Sequence, residues 1–132
     1  MKKLTITLLM SAIALISAAS LQAAQLTDQD KQFLSGYEKV HHALVADDLA
    51  GAKAAAKDIG TDGSEVASAS SLKEARAAFE KLSSRAKTLV AGQSDYHVVH
   101  CPMLKKDWVQ TSTTIENPYG GKDMVSCGEI QK

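Results

Sequence analysis

The spacing of apolar residues changes once along this chain, at Gly92, and divides it into a helical part and a strand-forming part. Before Gly92 the apolar positions recur every three or four residues. Phe33, Tyr37, Val40 and Leu44 form one stripe, and Leu49, Ala52, Ala56 and Ile59 a second. Leu72, Ala75, Phe79, Leu82, Ala86 and Leu89 form a third. Residues so spaced share one face of an α-helix. Thr27 followed by Asp30, and Ser71 followed by Glu74, have the pattern of capping boxes. Asp47 and Asp48 stand where a second helix would be capped, and Gly60 and Gly92 where helices would stop. The stretch GTDGSEVASASS, residues 60–71, has the composition of a loop. Three amphipathic helices with short joints predict an antiparallel bundle over residues 27–91, the first helix ending near Ala46.

Beyond Gly92 the pattern alternates. DYHVVHC is β-branched and reads as a strand, WVQTSTTI as a second and MVSCGEI as a weaker third. Pro102, Pro118 and the pair Gly120–Gly121 punctuate them. The expected fold class is therefore α+β, mainly helical: a three-helix antiparallel bundle with a small β segment within residues 95–132. Aromatic residues are few, so the core must be built mostly from Ala, Leu and Val, which leaves the fold in need of a crosslink or a ligand.

The first residues read as a secretory signal. Lys2 and Lys3 precede an apolar run from Leu4 to Ala19, and small residues offer cleavage after Ala19, Ala23 or Ala24. The run is short for a membrane span, which needs about 20 apolar residues. A signal peptide over residues 1–24 and a single domain over 25–132 are expected, placing the mature protein in the periplasm. Removing the two leader lysines takes Lys and Arg from 15 to 13 against 15 acidic residues. A domain so near neutrality lacks the basic footprint of a nucleic-acid binder.

Both cysteines, both prolines, the one tryptophan and the only methionines outside the leader lie between Cys101 and Cys127. Two readings follow. An exported chain with an even cysteine count pairs its cysteines, and a Cys101–Cys127 disulfide would close a loop of about 27 residues, worth roughly 3–4 kcal/mol. Alternatively, Cys101, Met103, Met124 and Cys127 form a soft-metal site. Thiolate and thioether sulfurs together select Cu(I), whereas zinc prefers Cys, His and carboxylates. In CPM the proline fixes one backbone angle, and the spacing of MVSC suits a helical turn or tight loop. His100 joins this metal set only if the strand ends beside it, because strand neighbours face opposite ways. His41 borders the first stripe as a core histidine, and His42 points away from it. Trp108 and Tyr119 fit core filling or a lid over the cysteines. No C-x-x-C, no phosphate-cradling glycine loop, no G-x-S-x-G and no H-E-x-x-H is present, so the chain reads as a non-enzyme.

HCPML, DW and IENPYGGKDMVSCGEI together resemble the signature of a bacterial family described as domain of unknown function 3347. HALVADDLAGAKAAA and ARAAFEKLS resemble its helical half. Gly120 departs from the pattern, which usually has an aromatic residue there. The resemblance implies an exported protein linked to heavy-metal handling, found alone or fused to membrane-fusion subunits of efflux systems. It implies a metal ion and such a subunit as partners. A disulfide-stapled module docking on an envelope partner without metal is the alternative.

Overall fold

The structure, a computed structural model, describes residues 23–132; the expected leader up to Gln22 and its exit at Ala19 lie outside the described residues. Helix α1 spans Asp28–Val45, α2 Leu49–Lys57, α3 Ser64–Ser68 and α4 Leu72–Leu89. Strands β1 (His97–Cys101), β2 (Lys106–Gln110) and β3 (Glu129–Ile130) form one antiparallel sheet in the order β2-β1-β3. The class is α+β. No helix of the described residues is long and apolar enough to cross a membrane.

The three predicted stripes are the buried faces of α1, α2 and α4, with Phe33, Tyr37, Val40, Leu44, Ala52, Ala56, Ala75, Phe79, Leu82 and Ala86 all in the core. Thr27 caps α1 in a full capping box with Asp30. At α4 the Ser71 hydroxyl accepts from the Glu74 N–H, but the Glu74 carboxylate reaches back to Ser70 rather than Ser71. Among the described residues the expected three helices are four. The presumed loop holds a 3-10 turn, Gly60–Gly63, and then α3. Val66 anchors α3 in the core, and Gly63 passes so close to α2 that a Cβ there would stand 2.0 Å from the Ala56 carbonyl oxygen. Five helical residues with one apolar anchor are too few to show a period.

The second strand also differs from expectation, starting at Lys106 and ending at Gln110 rather than running through the β-branched threonines. Gln110 is buried and ends it. Its Nε2 donates to the carbonyls of Ser112 and Thr114, both at 2.6 Å, and its Oε1 accepts from Trp108 Nε1 at 2.8 Å. These bonds curl the chain out of the sheet. Of the third predicted strand only Glu129–Ile130 pairs, and Met124 to Cys127 form a tight turn instead.

Helix α4 lies along the outer edge of β2. Glu80, Ser83 and Lys87 fall on one face of α4, and each meets that strand or its cover. Glu80 pairs with Lys106 at 2.5 Å, and Lys87 pairs with Asp107. Between them the Ser83 hydroxyl lies 2.8 Å from both the Tyr37 and the Tyr119 hydroxyls. The direction of this chain is fixed by its ends. Tyr119 donates to the Asp107 carbonyl at 3.1 Å, so it must accept from Ser83, which must accept from Tyr37. Tyr37 in turn accepts the Val109 N–H at 3.0 Å. Burial pushes both phenol pKa values up, so both keep their protons. Ser83→Ala leaves the Tyr37 proton and one Tyr119 acceptor without their partner. We expect a loss of about 1–3 kcal/mol in urea unfolding, far more than an exposed serine would cost.

His41, fully buried, ties α1 to the C-terminal segment: its Nε2 donates to the Glu116 carbonyl at 2.5 Å. Its Nδ1 finds no partner. Burial lowers its pKa from 6.5 to about 4, so the ring stays neutral in the folded protein. A depressed histidine contributes fully above the unfolded value and loses that contribution as pH falls from 6.5 toward 4, since only the unfolded chain takes the proton. Urea unfolding followed from about pH 7 to about pH 4 should lose about 3 kcal/mol from this group. His41→Gln should flatten the upper part of that fall, above the carboxylate range. An unchanged slope in the variant would assign the effect elsewhere.

Candidate thiol site

Cys101 is the last residue of the central strand β1, and its position follows from the register. Val99 pairs with Trp108 and Cys101 with Lys106, so alternation puts Val99, Cys101 and Trp108 on one face of the sheet. The C-terminal segment covers that face at Gly128. A Cβ at this glycine would stand 2.7 Å from Trp108 Cη2 and 2.9 Å from Val99 Cγ1. The preceding residue, Cys127, thereby arrives beside Cys101. Both are free thiols, Cys101 with 0% exposure and Cys127 half-buried.

The turn after Cys101 closes on itself. Lys105, in the left-handed region at φ 54°, donates its N–H to the Cys101 carbonyl at 2.8 Å. The backbone at Met103 and Leu104, together with Cys127 and the Asn117 side chain, favours the ionised form of the Cys101 sulfur. Burial opposes ionisation of Cys101, but these donors outweigh it and hold the thiol below its ordinary value. Cys127 is pushed up, first by its hydrogen bond to Cys101, then by burial and by repulsion from the Cys101 charge.

Asn117, fully buried, organises the segment that carries Cys127. Its Nδ2 donates to the Cys127 carbonyl at 2.8 Å, and its N–H to the Val125 carbonyl at 2.8 Å. Its Oδ1 accepts from Tyr119 N at 2.8 Å and Gly120 N at 3.3 Å. Arg76 of α4 holds the same loop from the other side, donating to the carbonyls of Pro118 and Leu44 and pairing with Asp47 at 2.5 Å. In the sequence Asn117 stood out only as the neighbour of the punctuating Pro118, and nothing marked Arg76. An asparagine directly before a proline is the one signal that could have found the first.

The predicted sulfur set is brought together in part. Met103 lies on the turn two residues after Cys101 and is 75% exposed. Met124 lies half-buried across Gly120; its Sδ would be 3.2 Å from a Cβ at that glycine. Its carbonyl accepts the Cys127 N–H at 2.9 Å. Met124 thus fills the space that an aromatic side chain at position 120 would need. His100 does not join the sulfurs. It projects from the opposite face of β1 and its Nδ1 is 2.6 Å from Asp107, the residue paired with it across the sheet. Trp108 is wholly buried core, with Tyr119 at 6.3 Å between ring centroids. Among the described residues no three His, Cys, Asp or Glu side chains gather as a metal-binding group.

Gly128→Ala would force a methyl into Trp108, Val99 and Ile115, and we expect about 1–3 kcal/mol of destabilisation in urea unfolding. The same change should speed alkylation of Cys127, because the segment must lift from the sheet. A variant as stable and as slowly alkylated as the parent would show that this contact does not seat Cys127. No family model, no curated protein and no solved structure matches the chain, so a functional reading stands on its own residues.

Proposed function

We propose that the protein is an exported soft-metal carrier that binds Cu(I) through Cys101 and Cys127. The observation that carries this reading is the adjacent pair of free thiols, with Cys127 seated beside Cys101 by the Gly128 contact on Val99 and Trp108. A monovalent soft cation needs few ligands, and two thiolate sulfurs supply the charge and softness it prefers over zinc. Met103, on the exposed turn two residues after Cys101, is the thioether that would complete the set. Met124, lodged across Gly120, is a weaker candidate, and His100 is left out because Asp107 holds it on the other face. The secretory pattern of the first residues and the resemblance to the efflux-linked family support periplasmic metal handling, with a membrane-fusion subunit as the receiving partner. The role is binding and delivery, not catalysis.

The rival is a Cys101–Cys127 disulfide that staples the C-terminal segment of an interaction module. Membership of Cys101 in the hydrophobic core favours it.

Elemental analysis of anaerobically purified, reduced protein decides between them: one copper per chain, lost in Cys101→Ser and in Cys127→Ser, is the expected result. Met103→Leu should weaken Cu(I) binding roughly ten-fold in competition with a chromophoric chelator, leaving stability unchanged. Met124→Leu should change it little. Reduced protein that takes up no copper would overturn the proposal.

A further inference from the structure

The two cysteines differ in access, and metal binding does not require that difference. Cys101 has 0% exposure and belongs to the core, whereas Cys127 is half-buried on the solvent side of the pair. Gly128 lies against Val99 and Trp108 on the face that Cys101 shares, which seats the preceding Cys127 beside Cys101. Cys127 is also fixed along the backbone, with its N–H on the Met124 carbonyl at 2.9 Å and its carbonyl on Asn117 Nδ2 at 2.8 Å. A sulfur attached to Cys127 would therefore remain beside Cys101.

We infer that the pair is an oxidation site for small disulfides, in which Cys127 meets the oxidant and Cys101 resolves the adduct. The Cys127 thiolate attacks one sulfur of a disulfide RSSR; the Cys127–SR bond forms, the RS–SR bond breaks and one RS⁻ leaves. The Cys101 thiolate then attacks the Cys127 sulfur; the Cys101–Cys127 bond forms and the second RS⁻ leaves. The two thiol protons end on the two leaving thiolates, so the pair gives up two electrons and RSSR takes them. Burial keeps RSSR from Cys101 without keeping Cys101 from Cys127. The inference stands without metal. Where Cu(I) is bound, the oxidised pair offers no thiolate, and oxidation releases the ion.

The test uses the reduced, metal-free full domain and oxidised glutathione, read by intact mass. The parent should lose two hydrogens and keep no adduct. Cys101→Ser should accumulate one glutathione on Cys127, at a rate roughly ten-fold or more above that of Cys127→Ser, because only unfolding exposes Cys101. Cys127→Ser should become reactive in urea, which identifies burial as its protection. Acid-quenched early samples of the parent give the same reading without substitution: peptide mapping should find the transient adduct on Cys127. An early adduct on Cys101, a parent that retains glutathione, or a parent that stays reduced would each overturn the inference. Copper uptake by the reduced protein is untouched by any of these outcomes, so the metal proposal stands or falls separately.

Discussion

The outer edge of β2 is the constraint on which the rest depends. A two-sided sheet of three short strands has two open edges, and unpaired backbone groups on an edge invite pairing with another chain. Residues 107 and 109 are two apart, so their peptide groups point the same way, and here both are met by tyrosine hydroxyls. The relay from the Val109 N–H through Tyr37, Ser83 and Tyr119 to the Asp107 carbonyl begins and ends on the same strand. It passes through α1, α4 and the C-terminal loop, and so sets the spacing of all three against β2. With the ion pairs of Glu80 and Lys87 on either side, α4 replaces the missing strand. β1 is positioned by β2, and Cys101 by β1.

The C-terminal segment has little apolar surface of its own, and polar anchors compensate. His41, Arg76, Asn117 and Gln110 each place a side-chain donor on a carbonyl of this segment. A single bond of this kind contributes about 1 kcal/mol net, but an unpaired buried carbonyl costs more, so a shifted loop is penalised at every anchor. Polar anchoring of this kind specifies one conformation more sharply than packing alone. Together with the contact of Gly128 on Trp108 and Val99, it seats Cys127 beside Cys101.

Much of this was legible from residue spacing. The three long helices and the β1 strand follow from period and turn residues. So does burial of His41, which sits beside the stripe of Phe33, Tyr37 and Val40. What escaped was structure made by single side chains acting over long distances. Ser83 looks like any polar residue next to an apolar stripe, and only the two tyrosines, 46 and 36 residues away, make it a hub. Gln110 ends a strand that its threonine-rich continuation would have extended, because its bonds to Ser112 and Thr114 outweigh propensity. α3 escaped because one buried valine carries no period. At the thiol site, spacing named the sulfurs but could not show that Met103 faces solvent or that Met124 occupies the hollow over Gly120.

The two thiols ride on supports of unequal stiffness. Cys101 sits in the central strand, paired on one side with β2 and backed by Trp108, whereas Cys127 follows a 3-10 turn, Lys122–Met124, near the end of the chain. Any change in their separation must therefore be taken up by the Cys127 side, since moving Cys101 would break the sheet. Gly121, at φ 71° beside Asp47 and Arg76, is the point where that side joins the anchored loop. The bonds between them are few: Asn117 to the Cys127 carbonyl, and Met124 to the Cys127 N–H. Whatever joins the two sulfurs, an ion or a covalent bond, then acts on the C-terminal segment and on Met124 across Gly120, and leaves the helical core as it was.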